Sequence, residues 1–102
     1  MSVIKRTDAN QKIIVAALRA AGASVAITSS LGKGFVDIVA GINGFSLLME
    51  IKDGSKARSQ QKLTEAEQKF FDEWKGHAAI VTTIDEALSE IEKYRVRKNE
   101  HG

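Results

Sequence analysis

The dipeptide Asn43-Gly44 constrains this chain more than any other feature, because it separates two strand-like runs, 35–41 and 45–52. Asn and Gly both tolerate the positive φ angles that a two-residue hairpin turn demands at its centre. With these two at the turn, Ile42 faces Phe45 and the pairing extends outward one residue per strand. Val36 then faces Ile51, Ile38 faces Met49 and Ala40 faces Leu47, all on one apolar side that belongs to the core. Because side chains alternate along a strand, the opposite side carries Phe35 facing Lys52, Asp37 facing Glu50 and Val39 facing Leu48. One face therefore collects two acids and a lysine.

The remaining elements follow from periodicity and caps. Ile13, Ile14, Ala17, Leu18 and Ala21 recur at helical spacing over 8–21, with Gly22 as the stop. Positions 24–29 lean towards a strand, and Leu31-Gly32-Lys33-Gly34 towards a loop. Residues 53–62 are too polar to bury and rich in donors suited to phosphate, so an exposed loop is expected. Thr64 and Glu67 have the spacing of a capping box, opening a helix over 64–76 that carries Ala66, Phe70, Phe71 and Trp74. A strand at 78–81 follows, then a helix capped by Thr83 and Glu86 and bearing Ala87, Leu88, Ile91 and Tyr94. A charged tail begins at about 95. The order αβββαβα predicts a mixed sheet of about four strands flanked by helices, α/β or α+β in class.

A length of 102 residues, 43% hydrophobic and 27% charged, suits one domain spanning 1–102. A core of that size is modest, which favours burying more surface against a second copy as a homodimer. The net charge of +2 is too small to identify a nucleic-acid partner, so local clustering must carry that argument. Without cysteine there are no disulfides or thiolate metal sites; any metal ligands are oxygens, and a reducing cytoplasm fits. No apolar run reaches signal-peptide or membrane-spanning length, so a soluble cytoplasmic protein with no membrane partner is expected.

Two carboxylates directly opposite each other on a sheet repel, and the pair Asp37 and Glu50 needs compensation. A hard divalent cation supplies it: Mg²⁺ or Mn²⁺ takes oxygen ligands, often one or two carboxylates with waters and substrate phosphates. Lys52 beside such an ion can neutralise charge developing on an attacked phosphate or orient the attacking water. The competing reading is an ordinary solvated face with Lys52 paired to one acid. Val39 and Leu48 argue that the face is partly covered, which makes an uncompensated acid pair harder to tolerate. Asp37, Glu50 and Lys52 are thus the expected catalytic core of a phosphodiester-hydrolysing site.

Asp37 followed across a hairpin by Glu50-Ile51-Lys52 resembles the signature of the PD-(D/E)XK nuclease superfamily. The wider run Gly-Lys-Gly-Phe-Val-Asp37, Leu-Leu-Met-Glu50-Ile-Lys52-Asp-Gly-Ser-Lys and Leu63-Thr-Glu-Ala-Glu-Gln-Lys-Phe70 is similar to the stand-alone phage and bacterial VRR-NUC (virus-type replication-repair nuclease) members. This resemblance covers most of the chain. It implies a restriction-endonuclease-like core, a metal held by Asp37, Glu50 and the Ile51 carbonyl, and hydrolysis leaving a 5′-phosphate. It also implies a small homodimer acting on branched DNA, such as four-way (Holliday) junctions, in a bacterial or phage-infected cell. Val36 stands where the signature has proline, which is not a ligand. The family's first-helix acid, typically Glu, corresponds to Asp8, with Gln11 on the same helix face; both are candidate catalytic residues under the resemblance. Asp-x-x-Gln is also a capping-box-like opening, so Asp8 has a purely structural alternative.

Lys33 between two glycines, and Lys56, Arg58 and Lys62 in the polar loop, flank the acids in sequence and are candidate DNA-phosphate contacts. The alternative is a merely solvated loop. Phe70, Phe71 and Trp74 follow helical spacing and are expected in the core or a dimer contact. His77 and His101 lack any partner pattern and are assigned to no metal. Rival functions are a catalytically silent DNA-binding module of the same fold and a flap or nicking nuclease.

Overall fold

The computed structural model describes the backbone of residues 6–53 and 62–97, and side chains from 9 to 53 and from 62 to 95. Helix α1 (Arg6–Ala20) is followed by strands β1 (Ser24–Ile27), β2 (Ile38–Ile42) and β3 (Phe45–Ile51), then α2 (Glu65–Glu73), β4 (Ala78–Val81) and α3 (Ile84–Arg97). A short 3-10 turn at Ser29–Leu31 lies between β1 and β2. The sheet runs β1-β2-β3-β4, with β1–β2 and β2–β3 antiparallel and β3–β4 parallel. The chain is thus α/β, a four-stranded mixed sheet flanked by helices.

Each junction has a local cause. Helix α1 stops because Gly22 takes φ +101°, and the Gly22 and Ala23 amides turn back to the Arg19 and Leu18 carbonyls, both at 3.0 Å. This pattern satisfies carbonyls that a helix end leaves open. At the hairpin tip Asn43 and Gly44 adopt φ +52° and +85°, and Ile42 pairs with Phe45. Asn43 Nδ2 also donates to the Tyr94 and Arg95 carbonyls at 3.2 Å, tying the tip to α3. Helix α2 opens with both halves of the Thr64–Glu67 capping box. At α3 the Thr83 hydroxyl accepts from Glu86 N, while the Glu86 carboxylate turns to Thr82 N at 2.7 Å.

The hairpin register matches the turn from Ile38–Met49 to Ile42–Phe45 and then breaks. A strand beginning at 35 is not formed; β2 begins at Ile38. The break lies on the β3 side: the Thr28 amide bonds the Asp37 carbonyl at 2.8 Å, one step further along the β1–β2 register, and the Thr28 hydroxyl bonds the Val36 carbonyl at 2.7 Å, whereas the Asp37 amide goes to the Met49 carbonyl at 3.2 Å. The Ile51 amide takes the Asp37 carboxylate instead, at 2.8 Å.

Helices α1 and α3 cover one face of the sheet. Ile14, Leu18, Ala87 and Ile91 bury against Ile38, Ala40, Leu47, Met49, Ile51 and Val81. None of the α2 residues is buried, so of the two places expected for its aromatics, the core or a dimer contact, the core is excluded. They pack on one another and on Phe35: Phe70 meets Phe35 edge-on at 5.3 Å and stacks on Trp74 at 5.2 Å. Trp74 remains 41% exposed. Helical periodicity reports which residues share a face, and Phe35 alone does not enclose three aromatics. Helix α3 continues through Arg97, past the expected start of a charged tail at about 95. Arg95 is held there by the Ala21 carbonyl and by Glu92 at 3.2 Å. Among the described residues no helix is long and apolar enough to cross a membrane.

Candidate active site

The C-terminal end of β3 gathers the candidate residues. Met49 and Ile51 point into the core, so alternation sends Glu50 and Lys52 to the opposite face. Glu50 is only 3% exposed, a burial ordinarily avoided by an ionised carboxylate. Lys52 Nζ lies 3.4 Å from Glu50 Oε2 and 2.8 Å from Glu67 Oε1. Glu67 Oε1 also accepts the Thr64 amide at 2.8 Å, so one oxygen serves both the α2 cap and the lysine. Among the described residues Glu50 Oε1 has no hydrogen-bond partner.

Asp37 reaches this group from β2. Its carboxylate is fixed by the Ile51 amide, which holds it beside β3. Burial above all pushes Glu50 up from 4.5 to about 8; the hydrogen bond with Glu67 and the charges of Asp37 and Glu67 push the same way, against Lys52. Burial pulls Lys52 down, but the bond to Glu67 and the charges of Glu50 and Glu67 outweigh it and hold its pKa above the usual lysine value. Burial likewise opposes ionisation of Glu67, and its bonds to Lys52, Glu50 and Thr64 overcome that and lower its pKa. The result is a charged Lys52–Glu67 pair beside an acid whose burial raises its pKa to about 8 even with the Lys52 ammonium 3.4 Å away.

Asn10, on α1, completes the scaffold. Its side-chain amide donates to the Lys52 carbonyl at 2.8 Å and the Thr82 carbonyl at 3.0 Å, clamping the ends of the parallel strands β3 and β4. Neither Asn10 nor Glu67 was among the candidates read from the sequence. A lone Asn inside a helix carries no signal. Glu67 carried one, but it was fully accounted for by the capping box.

The structure therefore brings Asp37, Glu50, Ile51 and Lys52 together at one end of β3. Gln11 is tied elsewhere, donating to Ser29 Oγ at 3.4 Å. Asp8 lies within α1 at its third residue, so it does not precede the helix as a cap, and its side chain is outside the described residues. Lys33 is exposed with φ +57°, and Lys62 is exposed. Lys56 and Arg58 lie outside the described residues. His77 bonds the Tyr94 hydroxyl through Nδ1 at 3.1 Å and packs edge-on against Phe45. Neither protein-family models nor curated proteins match this chain.

Among the described residues no group of three or more His, Cys, Asp or Glu side chains is arranged as a metal cage. Mg²⁺ does not require one, since it commonly takes one or two carboxylates and completes its octahedron with waters and phosphate oxygens. The unpartnered, buried Oε1 of Glu50 fits such an ion, because a cation would supply the counter-charge that burial withholds.

Proposed function

We propose that the chain is a metal-dependent DNA endonuclease with a restriction-endonuclease-like PD-(D/E)XK core of the VRR-NUC type. The observation that carries this reading is the buried Glu50, with its unpartnered Oε1, set between Asp37 and the Lys52 ammonium. Asp37, Glu50 and the Ile51 carbonyl are the residues that would hold Mg²⁺ or Mn²⁺. The ion, when bound, supplies Lewis acidity towards the scissile phosphate and towards water. Lys52 contributes a fixed positive charge where negative charge develops on the phosphate oxygens, in a partly dehydrated setting where such a charge counts for more than in water. The bond from the Ile51 amide to the Asp37 carboxylate holds the two strand ends together beyond their last paired residues.

Lys33, Lys56, Arg58 and Lys62 are assigned to DNA phosphates on either side of the cut, contacts that position the duplex without reading its sequence. All of these assigned contacts are to phosphates, so selectivity falls to DNA shape. A two-fold homodimer presents two such sites at fixed separation, which matches the paired strands of a four-way junction.

The test is incubation of purified protein with labelled linear, nicked, flap and four-way DNA in Mg²⁺, Mn²⁺ or EDTA. Metal-dependent cutting of the branched substrates is expected. Binding without cutting in every metal would overturn the enzyme reading and leave a docking module; preference for flaps or nicks over junctions would overturn the junction reading alone. Light scattering, and junction cleavage by mixtures of wild-type and Asp37→Asn protein, test the dimer. A monomeric mass with full junction activity would exclude it.

A further inference from the structure

Lysine is a poor choice where a charge must stay in one place. Its ammonium rides on four methylenes with free rotation, and leaving it unheld spreads the charge over a wide volume. Lys52 has two acids within reach, and they are not equivalent. Glu67 is at 2.8 Å and Glu50 at 3.4 Å, so the shorter bond is to the acid outside the Asp37–Glu50 pair. Glu67 is itself tied down while α2 is seated, because the oxygen that accepts from Lys52 also accepts from the Thr64 amide at the start of α2. The side chains of Lys52 and Glu67 are 16% and 17% exposed, and a pair this well covered is screened far less than one on the surface.

We propose that Glu67 is the positioning residue of the site, anchoring the Lys52 ammonium to the first turn of α2 and keeping it from collapsing onto Glu50. This rests on the nuclease reading for its catalytic consequence, though not for the geometry. Were Glu67 absent, Lys52 would keep only its longer contact, the 3.4 Å pair with Glu50, and would close further onto the carboxylate assigned to the ion. Glu67 thus separates two jobs that a lysine and a glutamate two residues apart would otherwise cancel: Glu50 stays available to a cation, and Lys52 stays available to a phosphate.

The rival reading is that Glu67 is only a helix cap. Glu67→Gln separates the two, because glutamine serves at this capping-box position as well as glutamate, whereas a neutral amide is a weaker anchor for an ammonium. The expected result is a fall in kcat on the order of 10- to 100-fold, as for other residues that orient a catalytic group, with KM for DNA unchanged. Glu67→Asp, one methylene shorter and unable to span both partners, should behave likewise. Thr64→Ala removes the hydroxyl half of the cap but leaves the backbone amide that holds Glu67, so it should lower the melting temperature without changing kcat. A second measurement needs no activity: the NMR order parameter of Lys52 Cε should drop in Glu67→Gln and Glu67→Asp but not in Thr64→Ala. Full kcat in Glu67→Gln, or a Lys52 side chain as ordered as in the wild type, overturns the proposal. If the wild-type protein cuts no DNA in any metal, the nuclease reading falls while the Lys52 dynamics still decide whether Glu67 is the anchor.

Discussion

The Asp37 carboxylate accepts the Ile51 amide at 2.8 Å, filling the place that a backbone carbonyl would take in a continuous ladder. Asp37 thereby has a structural duty as well as its proposed ligand role, and substitutions separate them. In Asp37→Asn the side-chain oxygen still accepts from Ile51, so stability in urea should stay near wild type while Mn²⁺ binding is lost. Asp37→Ala orphans an amide in a fully buried residue, and should cost about 1–3 kcal/mol on top of the lost metal affinity. Equal stability of the two variants would show that the bond carries no weight.

Glu50 sets a pH dependence with a definite sign. Its folded pKa of about 8 lies above its ordinary 4.5, so in that window the folded protein keeps a proton that the unfolded chain releases. Its contribution to stability is then full below about 4.5, falls as pH rises, and is gone above about 8. Lys52 is raised and Glu67 lowered, so both hold their charges across that window. Urea midpoints in EDTA should fall between pH 5 and 8, a span inside that window. Glu50→Gln should flatten the fall, and saturating Mg²⁺ should restore wild-type stability at the alkaline end. A flat profile for the wild type in EDTA would refute the assignment.

The Asn10 clamp ranks two substitutions. Asn10→Ala removes two bonds to carbonyls and is expected to cost about 1–2 kcal/mol. Asn10→Asp faces the same carbonyls with an acceptor that cannot donate when ionised, and should be less stable still. Thermal melts at neutral pH provide the comparison; the reverse order would mean that Asn10 does not hold the strand ends.

DNA binding by the polar loop is tested through salt. Replacing Lys56, Arg58 and Lys62 by alanine in turn should reduce the log–log slope of affinity against salt by about one per phosphate contact removed, equally for linear and branched DNA. An unchanged slope in the triple variant would exclude the loop from the interface.

Much of this arrangement was legible in the sequence because it is local. Asn43-Gly44 fixes the hairpin, and the hairpin alone brings Asp37 towards Glu50 and places Lys52 on the same face as Glu50. The capping pairs at Thr64 and Thr83 mark their helices for the same reason. Long-range exchanges were not legible. The Asp37 amide bonds the Met49 carbonyl and the Asp37 carboxylate takes the Ile51 amide, so the hairpin pairing stops at Ile38, which no pattern within 35–41 announces. Asn10 reaches the Lys52 carbonyl across 42 positions, and Glu67 reaches its side chain across 15. Helix α2 misled in a different way, since aromatic spacing defines a stripe but says nothing of how much surface waits to cover it.

That helix brings the site a dynamic consequence. With no buried residue of its own, α2 is the segment expected to open first, at a free energy well below that of global unfolding, while the sheet under α1 and α3 stays protected against hydrogen exchange. Each such opening takes Glu67 away from Lys52 and leaves both β-strand acids where they were. The fraction of molecules with a fixed ammonium at any instant is therefore the fraction with α2 seated. On warming, that population should decline ahead of the cooperative melt, so the protein would lose the anchored Lys52 ammonium while its core is still intact.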